Sequence, residues 1–342
     1  MNILITGGAG FIGTHLALHF SRSGHSLALY NNLSRVGSAQ NLQWLQGQLP
    51  GVEFIRADVR DSAAMERAAR GRDAIFHLAE QVAVTSSVTS PREDFEINAL
   101  GTFNVLEAAR SSGRSPVVIY SSTNKVYGAL EGVRVVQEES RYRFADLAHG
   151  VDEKWPVDFH SPYGCSKGAG DQYVRDYARI YGLPTVVFRQ SCIYGERQFG
   201  VEDQGWLAHF VICLLLGKQI TIYGDGRQVR DVLHIDDLVR AFDQALQRID
   251  RVRGEIFNLG GGPENTLSIW GETGPLLRRL AARPLQVQRG DWRPGDQKVY
   301  ISDVRKAERL LDWKPNVPPQ QGVDRLWEWA RANQELLASV AA

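Results

Sequence analysis

Cysteine is nearly missing: the 342-residue chain has three, Cys165, Cys192 and Cys213. An odd number with no ligand-like spacing argues against a disulfide framework or a zinc site, and fits a reducing compartment, so the expected address is cytoplasmic and no metal is expected. Net charge is missing as well. The 39 basic and 39 acidic residues cancel, which removes any global attraction to nucleic acid or anionic membrane, so an anion has to be bound locally. Long apolar runs are lacking: the longest, near Val211 to Leu216, is far too short to span a bilayer. The first strand signal begins at Asn2 with no charged leader before it. The expectation is a soluble protein with neither a nucleic-acid nor a membrane partner. No internal repeat or low-complexity tract appears.

What the chain does have is size, apolar residues and a glycine turn at its start. With 43% hydrophobic residues over 342 positions, one large α/β unit with a smaller lobe is the natural expectation. Asn2 to Thr6 is a short apolar strand that runs into Gly7-Gly8-Ala9-Gly10-Phe11-Ile12-Gly13, after which apolar residues recur at helical spacing through Leu16 and Phe20. Gly7 permits the tight turn, Gly10 lets a pyrophosphate approach the backbone, and Gly13 allows close packing of helix on strand, with the helix N-terminus facing the anion. The unit closes with a second strand, Ser26 to Tyr30. The arrangement predicts a dinucleotide site that includes Phe11 and Ile12.

The end of that second strand normally offers an acid to the adenosine ribose, but here it offers Asn31, then Asn32 and Arg35. An amide can still bond a ribose, yet it does not repel a 2'-phosphate, and Arg35 could pair with one, so NAD is expected with NADP not excluded. A solvated loop charge is the competing reading of Arg35. Strands and helices continue to alternate, at Val52 to Arg56, from Ser62, and at Ala74 to Leu78, which predicts a doubly wound parallel sheet. Asp58 and Val59 past the third strand, and Leu78 and Ala79 past the fourth, join the expected cofactor contacts. Asp94 to Ala109 reads as one long helix with Phe95, Asn98, Thr102 and Leu106 along a face; Asn98 is an unusual polar residue on that stripe, with surface exposure as its competing reading. Val117 to Tyr120 leads into Ser121-Ser122-Thr123-Asn124-Lys125-Val126-Tyr127-Gly128, whose hydroxyls point to the crevice beyond the strand ends. The polar stretch Leu130 to Phe159 is expected to be a substrate lid.

His160-Ser161-Pro162-Tyr163-Gly164-Cys165-Ser166-Lys167 reads as a helix start, with Ser161 as cap and Pro162 in the first turn. Tyr163 and Lys167 then share a face one turn apart. An ammonium beside a phenol favours the phenolate, so the pair is a candidate acid/base. Beyond it, Thr185 to Phe188 is a further strand, the chain leaves the sheet near Cys192, and Glu255 to Leu259 returns to it. Arg230, and Arg293 in the loop Trp292 to Asp296, are the arginines whose guanidinium fork suits a diphosphate. The expected division is residues 1–189 with about 232–262 as a dinucleotide-binding unit, and 190–231 with 263–342 as a substrate lobe.

Taken together, the glycine turn, Thr123, Tyr163 and Lys167 resemble the extended short-chain dehydrogenase/reductase family of nucleotide-sugar enzymes, and the match covers nearly the whole chain. The resemblance implies a seven-stranded Rossmann sheet, a smaller C-terminal α/β lobe for a nucleotide sugar, and a homodimer built from helices of the first unit. It implies that Tyr163 is the acid/base, that Lys167 lowers its pKa and holds the nicotinamide ribose, and that Thr123 orients the sugar hydroxyl. Asn124, Lys125, Cys192, Arg230 and Arg293 are the implied substrate contacts. The runs Ser121 to Gly128, His160 to Lys167 and Gln228 to His234 point within the family to inversion of C2 of a CDP-hexose by transient oxidation with NAD.

Dehydratases of the family carry an Asp-Glu pair directly after the threonine, where this chain has Asn124-Lys125, so elimination of water is not expected. Three departures accompany the resemblance: Asn31; Cys192, where sugar 4-epimerases commonly have asparagine; and Glu80, where relatives have a small residue. Glu80 is expected to turn to solvent. A nucleotide-sugar 4-epimerase, a 4-keto reductase, and a cofactor-sensing protein without turnover are the competing readings.

Overall fold

The computed structural model describes residues 1–280, 285–293 and 296–340. Seven strands form its central sheet: β1 (Asn2–Thr6), β2 (Ser26–Tyr30), β3 (Glu53–Ile55), β4 (Ala74–His77), β5 (Val117–Thr123), β6 (Thr185–Gln190) and β7 (Glu255–Leu259). They lie in the order β7-β6-β5-β4-β1-β2-β3, and every neighbouring pair is parallel. The doubly wound sheet expected from the alternation is therefore what forms. Its inner strands carry near-continuous apolar runs because helices cover both faces. Ile3, Ile5, Phe76 and Phe188 enter one core and Leu4, Ile75, Val118 and Val187 the other. The strand order reverses between β1 and β4, which opens a crevice beyond the carboxyl ends of the strands at that point.

The second lobe is made of small pieces. Helix Trp206–Leu216 packs with Ile220, Trp270 and Leu326 in a third core, beside the parallel pair Ile220–Tyr223 and Val287–Gly290. Strand Val229–His234 pairs with Cys192–Tyr194, Val299–Tyr300 and Thr266–Ser268. We propose the two-unit division drawn from the sequence with two changes that packing supports: Ala307, Leu311 and Trp313 join a core of the central sheet, and Tyr142 and Phe144 join Val229 and Tyr300.

Two expectations fail here. Leu130 to Phe159 is not the open polar loop expected: it holds a hairpin, Val135–Gln137 against Tyr142–Phe144, anchored by apolar packing and by the Tyr142 N–H donating to the Arg227 carbonyl at 2.9 Å. Nor is Asp94 to Ala109 one α-helix. Helix Pro91–Phe95 passes through a π-helical turn, Glu96–Leu100, into helix Gly101–Ser111. The turn absorbs an extra residue, and Asn98 within it is 1% exposed while Phe95 before it is exposed. Among the described residues no helix is long and apolar enough to cross a membrane, and all three cysteines are free.

Candidate active site

The glycine turn forms the floor of the first cleft. Gly7 sits at φ 68°, in the left-handed region that glycine adopts without cost, and a Cβ on it would lie 2.8 Å from the Leu78 carbonyl. A Cβ on Gly13 would collide with the Gly7 carbonyl oxygen. Gly10 stands at the cap of helix Phe11–Arg22, where no side chain caps the first turn, so backbone N–H groups are left for an anion. This backbone cradle, which any Cβ would fill, fits a dinucleotide pyrophosphate. Gly7, Gly10, Phe11, Ile12 and Gly13 line the cleft, and so do Asn31, Asn32, Arg35, Asp58, Val59, Leu78 and Ala79.

The polar groups of that cleft hold one another. Asn31 accepts from the Leu33 N–H at 2.6 Å, and Asn32 donates to Asp58 at 2.8 Å. Arg60 grips Asp58 through two bonds of 2.9 Å, and this hydrogen bonding holds the carboxyl well below its ordinary range, at about 2. Arg35 is no free loop charge. It donates to Gln204 of the second lobe at 2.7 Å.

The second cleft, about 520 Å³, adjoins the first and lies between the lobes. Thr123 ends β5, and its hydroxyl accepts from the Lys125 N–H at 3.2 Å, capping the short turn Asn124–Tyr127. Tyr163 and Lys167 stand on helix Ser161–Tyr181. Ser161 starts that helix at φ 71°, uncommon for a residue with a Cβ, and its hydroxyl caps Gly164 N–H at 3.2 Å. Thr123, Asn124, Lys125, Tyr163, Cys192 and Arg293 all line this cleft. Arg230 does not, but its partner Asp296 does: the two are 2.5 Å apart. Arg293 lies 3.8 Å over the Tyr223 ring and 3.2 Å from Asp203. Pro294 and Gly295 of the same loop lie outside the described residues.

The electrostatics depart from the sequence reading at one residue. Glu80 does not turn to solvent: it lines both clefts, bonds the Lys167 ammonium, and accepts weakly from the Ser121 hydroxyl at 3.5 Å. Lys167 also donates to the Ser121 carbonyl and lies 4.3 Å over the Tyr120 ring. The ammonium is thus occupied away from the phenol. Burial, and after it the Glu80 charge, push the Tyr163 phenol above its ordinary value, while Lys167 and a hydrogen bond with Thr123 pull it down less strongly. The expected lowering of Tyr163 by Lys167 is present as a pull and outweighed. Burial works against the Lys167 charge too, but Glu80, Tyr120 and Tyr163 overcome it and raise that pKa. Burial lowers Lys125 to about 8, with Arg230 adding to the effect.

Sequence reasoning also missed a buried support. Asn98 donates to Ser166 at 3.1 Å and to the Gln81 carbonyl at 3.0 Å, and accepts from the Gln81 N–H at 2.9 Å. Ser166 donates to Asp94 at 2.5 Å. The π-turn, the segment after β4 and the Tyr163 helix are thereby tied together. The polar Asn98 on an otherwise apolar stripe was the available signal. Of three aromatics near the nucleotide lobe, Trp206 lines the second cleft, Phe199 lines the first and packs on Trp329 at 5.9 Å, and Tyr223 backs Arg293.

Residues 3–260 match the family described as the NAD dependent epimerase/dehydratase family. The chain is 44% identical over 336 residues to CDP-paratose 2-epimerase of Salmonella typhi, covering 96% of this chain and 99% of that one. Among solved structures it is similar to the dTDP-glucose 4,6-dehydratase DesIV of Streptomyces venezuelae, solved with NAD, at 31% identity and a TM-score of 0.85 over 99% of this chain and 100% of that one. It is also similar to the UDP-glucose 4-epimerase of Thermus thermophilus in complex with NAD, at 31% identity and a TM-score of 0.81 over 97% and 99%.

Proposed function

The chain belongs to the NAD dependent epimerase/dehydratase family, and on that premise we propose that it is an NAD-dependent nucleotide-sugar epimerase that inverts C2 of a CDP-hexose. The observation that carries this reading is the convergence of Thr123 and Tyr163 on one cleft, with Asn124 and Lys125 next to them in place of paired carboxylates. The resemblance to the Salmonella typhi enzyme supports the sugar carbon and the nucleobase.

NAD, when bound, supplies acceptance and return of a hydride at the sugar carbon. The protein's residues do the rest. Gly7, Gly10 and Gly13 seat the pyrophosphate on backbone, and Lys167 holds the nicotinamide ribose. Thr123 orients the C2 hydroxyl; Tyr163, which burial and Glu80 keep protonated in this structure, has first to give up its own proton, and as the phenolate it takes the hydroxyl proton and gives it back once the ketone has presented its other face. Lys125, Arg230 and Arg293 meet the diphosphate, the last two after release from Asp296 and Asp203. Among the described residues Glu80 is the one carboxylate that lines both clefts, and in this structure it is bonded to Lys167.

Incubation with CDP-hexoses in deuterated water tests the reading. Direct oxidation at C2 leaves substrate deuterium on C2 and takes none from solvent; solvent deuterium at the inverted carbon, or inversion at C4, overturns it. Nucleotide released from freshly purified, denatured protein is expected to be NAD, and a predominant NADP signal would assign Arg35 to a 2'-phosphate.

We further propose a homodimer in the cytoplasm. Phe95, Phe103 and, on the Tyr163 helix, Tyr173, Ile180 and Tyr181 are exposed, with Phe103 edge-on to Tyr173 at 6.1 Å. Exposed apolar side chains of this kind are what an interface between copies needs. Light scattering of the wild type and of Y173E checks it: a monomeric wild type overturns the dimer.

A further inference from the structure

Glu80 stands where a side chain could least easily withdraw. The backbone before it is held by the Thr6 hydroxyl, which accepts from Leu78 and Ala79 N–H at 3.1 and 3.2 Å. The backbone after it is held by Asn98 through Gln81. Both anchors are buried. The backbone that carries Glu80 is therefore held at the junction of the two clefts, and its carboxylate is bonded to Lys167, itself 1% exposed.

Lys167 has three N–H donors. Glu80 takes one, the Ser121 carbonyl takes another, and the Tyr120 ring covers the ammonium. A ribose that is to be held by Lys167 has to take a donor from this set. Ser121 lies on β5 and cannot move away without disturbing the sheet, so the bond that can yield is the one to Glu80.

We propose that Glu80 is a positioning residue that competes with the nicotinamide ribose for the Lys167 ammonium, so that seating NAD is coupled to breaking the Glu80–Lys167 ion pair. The proposal rests on the cofactor role given to Lys167 above. Its physical consequence concerns charge. A buried carboxylate deprived of its cation takes up a proton. The groups facing it decide whether another cation can replace Lys167. Tyr163 on the long helix, Tyr120 on β5 and His77 on β4 are neutral, and burial holds His77 at about 3. Asp94, which interacts with Lys167, is an acid. Arg35 is the remaining cation, and it is bound to Gln204. Cofactor binding should thus take up a proton and weaken as the pH rises above the ordinary carboxylate range.

The test is NADH fluorescence titration of the full chain freed of nucleotide with charcoal, with no sugar present, so that failure of the epimerase reading leaves it intact. Because a competitor that leaves Lys167 available only about a tenth of the time lowers affinity tenfold, E80Q is expected to bind NADH about tenfold more tightly. Wild-type affinity should fall between pH 5 and 8, while E80Q stays flat. In a K167M background, itself weaker than wild type, E80Q should add nothing. E80G, which restores a small residue, guards against a defect peculiar to glutamine, and circular dichroism checks that each variant is folded. Unchanged or weaker binding in both Glu80 variants, a gain that survives K167M, or a flat wild-type profile overturns the proposal. If K167M binds as well as wild type, the ribose assignment fails instead, and the proposal with it.

Discussion

The two clefts of this molecule are built by different means. The floor of the first is made of backbone and of neighbours in sequence: one strand, one glycine turn and one helix start supply it within a dozen residues. The second is made of side chains from β5, the Tyr163 helix, the exit of β6 and the loop holding Arg293, brought together from positions as far apart as 123 and 293. A backbone site depends on what is missing, since no Cβ may intrude. A side-chain site depends on which charges are present and what already holds them.

Substitutions should separate the two modes. The largest effect is expected in the second cleft: Tyr163→Phe should cost about a thousandfold in kcat, the middle of the range for a lost acid/base, with fold and NAD content preserved because the ring still packs. A folded Tyr163→Phe protein with near-normal turnover would remove the phenol from the chemistry. In the first cleft, Gly13→Ala should reverse that signature. Its Cβ meets backbone that cannot give, so a stability loss of about 1–3 kcal/mol is expected, read as a lower Tm together with loss of copurified NAD.

Lys125 gives a smaller effect with a direction in pH. Removing one charged hydrogen bond to the substrate is worth about tenfold, so Lys125→Met should raise KM by that factor and leave kcat nearly unchanged. Its pKa near 8 means that the ammonium is present below that pH and lost above it; wild-type KM should therefore rise as the pH passes 8, and a KM for Lys125→Met that follows the same curve would exclude Lys125 as the titrating group. The smallest effect is expected for Arg35→Gln. The substitution removes a bond to Gln204, and NAD affinity should drop no more than about threefold, the scale of one exposed hydrogen bond. A loss of about a hundredfold would show that Arg35 meets a phosphate.

The same contrast explains what could be read in advance. The order of strands and helices and the glycine cradle were legible because each rests on contiguous pattern: apolar periodicity, turn chemistry, helix starts. Tyr163 and Lys167 were legible as a helical pair. Their electrostatics were not, since Glu80 is 87 positions from Lys167, and the two meet only because β4 pairs with β5 and the Tyr163 helix sets Lys167 against Ser121 of β5. Phe95 leaves the stripe it was expected to share with Asn98, Thr102 and Leu106 and is exposed, because a π-turn has no sequence period that a helical stripe reveals. The stretch Leu130 to Phe159 was misread because a polar composition hides the few apolar residues, Tyr142 and Phe144 among them, that dock it.

The π-turn at Glu96–Leu100 uncouples chain length from angle. Each residue of a helix advances the next by about 100°, and the turn takes up one residue more than an α-helical turn without passing that rotation on to the helices at either side. Deleting one residue from Glu96–Leu100 would rewind it to an ordinary helix and leave the flanking faces where they are. A one-residue deletion inside Gly101–Ser111 has no such slack and would rotate everything before it against everything after it. The deletion in the helix should therefore be the more damaging of the two, although Thr123, Tyr163 and Lys167 all stand on other elements.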